Sequence, residues 1–386
     1  MKGTTVKRPR KDGTVAWAAV FRAVDPKTGK TRQVWKSGFP TKKAAEDAVK
    51  EAVRQADEGA GVYAQPSKIT VEAFLIEQWL PAMRSTLRAN TLAMYRSTIE
   101  SYIVPAIGPL QLRLLTPGNL NALYGDLLDH GRRRDGSGLS GRAVEIVHVV
   151  LRRSLVDAVK WGLLPRNPAA SVDRPRGRTP ESAVWAPEQV RAFLESLGDD
   201  RLSAMWRLFA TTGCRRGEVL GLRWKDVDLT ESTVSVRQNV VLVDHQIIIE
   251  EPKSAAGRRT ISIDPETVAA MRAHRLRQRE ERMAHGPAWT DSGHVFTRED
   301  GTVIHPERVT KWFEQRRKKA ELPKLTLHGL RHSHATALLR GGVPIAVVSK
   351  RLGHASIGIT LGTYAHALPG DDEAAAVLGA ALLAGS

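Results

Sequence analysis

The chain has 386 residues, 42% hydrophobic and 26% charged, a composition that supports a proper core and excludes global disorder. Lysine and arginine number 58 against 41 aspartates and glutamates, a net charge of +17 that no fold requires. A polyanion is therefore the first expected partner, and a basic surface that binds nothing is the bland alternative.

At about 150 residues per domain the length predicts two or three domains. One cysteine, Cys214, excludes an internal disulfide and a multi-cysteine zinc site, and fits a reducing, cytoplasmic setting. No run of about 18 apolar residues predicts a membrane span. The basic residues 1–11 lead into no apolar signal core.

Residues 1–64 read as a basic module, with 14 basic and seven acidic residues through position 65. Val15, Trp17, Val20, Phe21 and Val24 mark a strand, 25–30 a Pro/Gly turn and 31–36 a returning strand. Thr41 is placed to cap a helix running to about Glu58. A hairpin with Arg22, Lys27, Lys30 and Arg32 around it suits a DNA groove; a solvated basic hairpin has the same composition.

Residues 65–165 read as an all-α module of about four helices, after a Gly/Pro linker. Leu92, Tyr95, Ile99 and Ile103 repeat at three and four, giving one buried face. Asn90 is expected to cap that helix and Pro105 to end it. Thr116-Pro117 starts the next helix, and Ser140 a long one to about Trp161. A linker, 166–180, alternates Pro168, Pro175 and Pro180 with Arg174, Arg176 and Arg178, as a segment crossing a DNA backbone would; a solvated linker looks much the same.

Residues 181–386 form the last module. Helices are expected at 187–197 and 202–211, a break at Thr212-Gly213, strands at 233–243, 246–250 and 259–263, then helices at 265–283, 306–319, 328–340, 344–352 and 356–366. From about residue 367 the chain has no lysine or arginine, and Ala374, Ala375, Val377, Leu378, Ala381 and Leu382 form an apolar stripe, read as an interaction tail that docks in cis or in trans. The fold class is mainly α with small β elements, in several domains.

Four segments of this module carry chemistry: Thr212-Gly213-Cys214-Arg215-Arg216-Gly217-Glu218, Pro252-Lys253-Ser254, His328-Gly329-Leu330-Arg331, and Leu352-Gly353-His354 with Tyr364 ten residues on. Guanidiniums can stabilise the extra charge of a phosphorane-like transition state. A tyrosine oxygen can attack phosphorus, a lysine can protonate the leaving 5′-oxygen, and histidines can accept the tyrosine proton or bind phosphate. The set requires no metal or cofactor. His328 and His332 lie at i, i+4, but no His-Glu-x-x-His pattern accompanies them, so a zinc reading is weak; His332 and His334 read as packing or supporting groups.

In order and spacing these segments resemble the tyrosine recombinase (phage integrase) family, in its long form with an N-terminal arm-binding domain. The resemblance implies that Arg215 and Arg331 clamp the scissile phosphate, and that Lys253 protonates the leaving oxygen, although Lys225 or Arg258 could lie nearby. It implies His328 as base for the tyrosine, His354 as phosphate support, Tyr364 as nucleophile and Glu218 as the orienting acid. It also implies an arm-binding domain at 1–64, a core-site domain at 65–165 and a homotetramer on double-stranded DNA, with an excisionase or DNA-bending protein as a further partner. A type IB topoisomerase-like strand transferase shares this chemistry. A non-catalytic DNA-binding protein derived from an integrase is the remaining alternative.

Overall fold

Val15–Val24 is the middle strand of a three-stranded antiparallel sheet, flanked by Gly3–Pro9 and Thr31–Phe39. The computed structural model describes residues 3–9, 14–24, 31–58, 68–132, 135–175, 183–252 and 254–367. The sequence predicts only a hairpin here. Gly3–Pro9 adds a strand because Thr4, Thr5 and Val6 pair with Val20, Ala19 and Ala18. The expected turn, with Lys27 and Lys30, lies outside the described residues.

Phe21, Ala23 and Val34 pack with Ala52 of the Lys42–Glu58 helix. Thr41 caps that helix, its Oγ1 accepting the Ala44 N–H at 3.1 Å. Ala18, Val20 and Trp35 stand on the opposite face of the sheet. There the Arg8 guanidinium lies 4.9 Å from the ring centre of exposed Trp35. Arg22 pairs with Gln33 and shares the Trp35 face, whereas Arg32 pairs with Ala23 one residue on. Arg22 and Arg32, both exposed, therefore stand on opposite faces.

The helical module starts with three consecutive segments, Val71–Ala73, Phe74–Trp79 and Leu80–Met83, and repeats the pattern in Ala89–Thr98, Ile99–Ile103 and Val104–Ile107. Two expectations are corrected. Asn90 does not cap its helix: Arg88 holds the N-cap position and makes no side-chain bond there. Pro105 does not end the helix, which runs to Ile107.

The middle segment of each run is a π turn, in which Leu80 N–H reaches the Leu75 carbonyl and Val104 N–H the Ile99 carbonyl. Pro81 and Pro105 follow directly. The wider turn relieves the proline ring's clash with the preceding turn and leaves no hydrogen bond for it to miss. The Pro117–His130 helix has the expected Thr116 cap, in a capping box with Asn119, and Gly141–Lys160 is capped by Ser140. Arg174, expected at DNA, ion-pairs with Glu145 of the long helix. Arg176 and Arg178 lie outside the described residues.

The chain divides into two compact units, Met1–Thr179 and Pro180–Ser386. The second is built around Ser203–Thr212, which packs against Pro265–His285 and Leu327–Arg340. Phe193 anchors its aromatic core, with ring centroids 5.5 Å from Trp185 and 5.3 Å from Phe313. The stretch expected as one strand over 233–243 is two strands in two sheets. Thr233–Val236 lies between Val227–Asp228 and Arg259–Ser262, while Asn239–Val243 pairs with Gln246–Glu250. The tail from residue 368 lies outside the described residues. Among the described residues no helix is long and apolar enough to cross a membrane.

Candidate active site

The site assembles where the Ser203–Thr212 helix stops. Gly213 adopts φ +65°, and a Cβ there would lie 2.8 Å from Leu352 Cδ2 and 2.9 Å from His334 Cδ2. Only glycine meets both conditions at low cost. The turn it makes places Arg215 at the N-cap of Arg216–Leu220. Glu218 then binds Arg215 twice, accepting its backbone N–H at 2.9 Å and its Nη1 at 2.8 Å. Arg216 points elsewhere, donating to Thr310 Oγ1 at 2.7 Å.

Glu218 is 5% exposed. Burial alone would raise its pKa, but the hydrogen bond and charge of Arg259, followed by Arg215, hold it below the usual carboxylate range. Arg259 was not singled out by any motif, yet it is the buried hub. It donates to Glu218 Oε2 at 2.9 Å and to the Arg351 carbonyl at 2.6 Å, tying the Arg259–Ser262 strand to the end of the Ile345–Leu352 helix.

Arg331, 3% exposed, holds the site together from the other side. It donates to the Gly213 carbonyl at 2.7 Å and the Leu352 carbonyl at 2.9 Å. Burial, then the neighbouring Arg215 charge, lowers its pKa to about 10, so it stays a cation at neutral pH. These two bonds fasten the segment beside Arg215 to the segment beside His354. Arg215 Nη2 faces the Gly353 carbonyl at 3.5 Å.

His328 and His354 border the same arginines. Desolvation, then His332, Arg331 and Arg215, lowers His328 to about 4, although the residue is exposed. His354 is likewise lowered to about 4, by burial and then Arg331 and Arg215, and its Nδ1 bonds Thr360 Oγ1 at 2.7 Å. Both imidazoles are therefore neutral at pH 7. Thr360 and Tyr364 share a face of Ile357–Tyr364, which forms despite Gly358 and Gly362.

Tyr364 is buried, packed with Ala335, Leu339, Val348 and Leu352. Its hydroxyl lies 2.9 Å from Nδ1 of His332. The resemblance gives the tyrosine's proton to His328; the structure sets His332 against the hydroxyl, and the His328 ring packs edge-on to His332 at 4.9 Å. Helical spacing shows which residues share a face but not which ring meets a side chain from another element. Lys253 lies outside the described residues. Cys214 is a buried core residue, as expected. Among the described residues the two arginines, Glu218, His328, His354 and Tyr364 thus converge in one unit, with Arg259 and His332 added.

Three family models match the chain in order. Residues 5–55 match an arm DNA-binding domain, 73–128 the N-terminal SAM-like domain of phage integrases, and 185–370 the phage integrase family. The chain is 28% identical over 349 residues to a protein named tyrosine recombinase XerC-like from Caldanaerobacter subterraneus subsp. tengcongensis, covering 85% of this chain and 87% of that one. Its fold is similar to that of the Tn1549 transposon integrase, solved in complex with a circular intermediate DNA, with a TM-score of 0.66 at 21% identity over 81% of this chain and 99% of that one. It is also similar to a lambda integrase tetramer bound to a Holliday junction, with a TM-score of 0.56 at 15% identity over 91% and 92% of the two chains. The chain belongs to the phage integrase family of tyrosine recombinases.

Proposed function

We propose that this site-specific integrase cuts and rejoins DNA through a 3′-phosphotyrosine formed by Tyr364. The observation that carries the reading is Arg331, which is buried and bound to the carbonyls of both Gly213 and Leu352. It leaves Arg215, His328 and His354 gathered about one cationic spot beside a tyrosine hydroxyl. In the reaction, Arg215 and Arg331 bind the non-bridging oxygens of the scissile phosphate, and neutral His328 and His354 donate hydrogen bonds to it. Lys253 protonates the leaving 5′-oxygen. Glu218 orients Arg215 and does no chemistry of its own.

The freed 5′-hydroxyl attacks the phosphotyrosine of a partner duplex, which gives a Holliday junction, and a second round resolves it. Four copies act on two core sites. Residues 1–64 bind arm sites, 65–165 and 181–386 grip the core site, and an excisionase or a DNA-bending protein sets the direction. No nucleotide hydrolysis is needed, because the phosphodiester energy is kept in the tyrosyl bond.

The test is a nicked suicide substrate carrying a core site. A covalent adduct is expected with the full-length protein and not with Tyr364→Phe. Exchange between two marked duplexes then distinguishes recombination from simple relaxation of supercoils. Absence of an adduct on every cognate site would sink the reading.

A further inference from the structure

The tyrosine hydroxyl must lose a proton as it attacks, and four histidines stand near enough to raise the question of which takes it. Resting on the phosphotyrosine reading above, we propose that His332 accepts the proton of the Tyr364 hydroxyl during cleavage and returns it during rejoining.

The geometry is direct. Tyr364 Oη and His332 Nδ1 are 2.9 Å apart, inside the range for proton transfer. The ring centroids are 5.5 Å apart with an interplanar angle of 50°, so the contact is made at the ring edge, where the nitrogen lies. His332 sits on the Leu327–Arg340 helix directly after Arg331, whose guanidinium is pinned at both ends. The imidazole thus has a fixed backbone beneath it.

The direction of the hydrogen bond follows from the surroundings. Burial raises the Tyr364 phenol above its ordinary value, outweighing the nearby charges of Arg331 and Arg215. Burial and then Arg331 lower His332. At neutral pH the phenol keeps its proton and the imidazole is neutral. The hydroxyl therefore donates to a bare Nδ1, and the ring proton sits on Nε2.

The other histidines are engaged differently. The His354 Nδ1 is bonded to Thr360 Oγ1. His334 Nε2 accepts from Arg351 Nε at 3.1 Å. His328 meets the edge of His332 one helical turn away. Among the described residues, His332 is the base in contact with the reacting oxygen.

The step balances. The Oη–P bond forms and the P–O5′ bond breaks. The proton on Oη passes to His332 Nδ1, giving an imidazolium, while the 5′-oxygen takes its proton from the separate acid, Lys253 in the reading above. On rejoining, the 5′-oxygen attacks, the Oη–P bond breaks, and Oη recovers the proton from Nδ1. An imidazolium beside Arg331 and His328 is uncomfortable, which favours the return.

The experiment measures single-turnover cleavage by the full-length protein on a suicide core site with either oxygen or sulfur at the 5′-bridging position. A thiolate leaves without a proton, so sulfur rescues a missing acid but not a missing base. His332→Ala is expected to cleave about 100-fold more slowly on both substrates, with core-site affinity retained. His332→Asn keeps an acceptor near the Nδ1 position but cannot become cationic; it is expected to be slow and to lose the acid-side limb of the pH–rate profile. The Asn variant carries the same comparison if the Ala variant does not fold. A rate within twofold of wild type, a faster rate, or rescue by sulfur would overturn the assignment. A wild-type adduct that persists in Tyr364→Phe would instead overturn the phosphotyrosine reading, so the two failures are distinct.

Discussion

Glu218 and Arg259 are both almost fully buried, and Arg259 Nη2 meets Glu218 Oε2 at 2.9 Å, with 4% of each side chain exposed. A buried pair of this kind adds little over an apolar pair of the same shape, but breaking it leaves one charge stranded. Glu218→Ala should therefore destabilise the protein by about 3–5 kcal/mol, read as a lower urea midpoint at pH 7. It also removes both bonds that place Arg215. Any folded fraction should cleave core-site DNA far more slowly while still binding it.

Among the imidazoles that this unit shifts downward, three shift furthest. His334 falls to about 3, through burial and then the Arg351 and Arg331 charges, and His328 and His354 fall to about 4. Below the ordinary histidine value near 6.5 the unfolded chain binds protons that the fold does not. Stability is therefore complete above about pH 6.5 and is lost as the pH falls toward 4 and below. A series of thermal melts over that range should show the decline. His334→Gln, which keeps an acceptor but cannot titrate, should flatten it; an unchanged slope would contradict the assignment.

Much of this was legible in the chain. Caps read correctly where a hydroxyl precedes a helix-forming run, as at Thr41, Thr116 and Ser140. The reading failed where a local rule was overridden by a neighbour. Pro105 is a breaker only if the preceding turn is α, and the Ile99–Ile103 π turn removes that condition. Gly3–Pro9 looks like a basic tail until Val15–Val24 supplies its partner. The ordered motifs nominate Arg215, His328, Arg331, His354 and Tyr364, because each segment carries its own spacing, and the fold brings these residues together. Arg259 belongs to no spacing rule, and the i, i+4 spacing of His332 to His328 marks it only as a packing or supporting group. Their importance comes from contacts across 41 residues to Glu218 and 32 to Tyr364.

Gly213 links stability to the site. Its positive φ costs a residue with a Cβ about 1–2 kcal/mol, and that Cβ would press on Leu352 and His334. The Gly213 carbonyl is also one of the two acceptors that fix Arg331. Gly213→Ala should lower the unfolding midpoint and reduce cleavage more than core-site binding. Equal loss of both would mean that the turn only supports the fold.

The amino-terminal sheet allows a sharper comparison. If residues 1–64 bind arm-site DNA, the face that carries Trp35 is the one to meet it, since the other face is covered by the Lys42–Glu58 helix. Arg22 lies on that face with Trp35, and Arg32 on the other. Arg22→Ala should weaken arm-site binding and reduce the slope of log affinity against log salt by about one phosphate's worth. Trp35→Ala should weaken binding too, through loss of its stack with Arg8, at an affinity cost less dependent on salt. Arg32→Ala should do less than either. Fluorescence anisotropy on a labelled arm-site duplex at several salt concentrations separates the three. A larger effect for Arg32 than for Arg22 would place the DNA on the strand edge rather than across the Trp35 face.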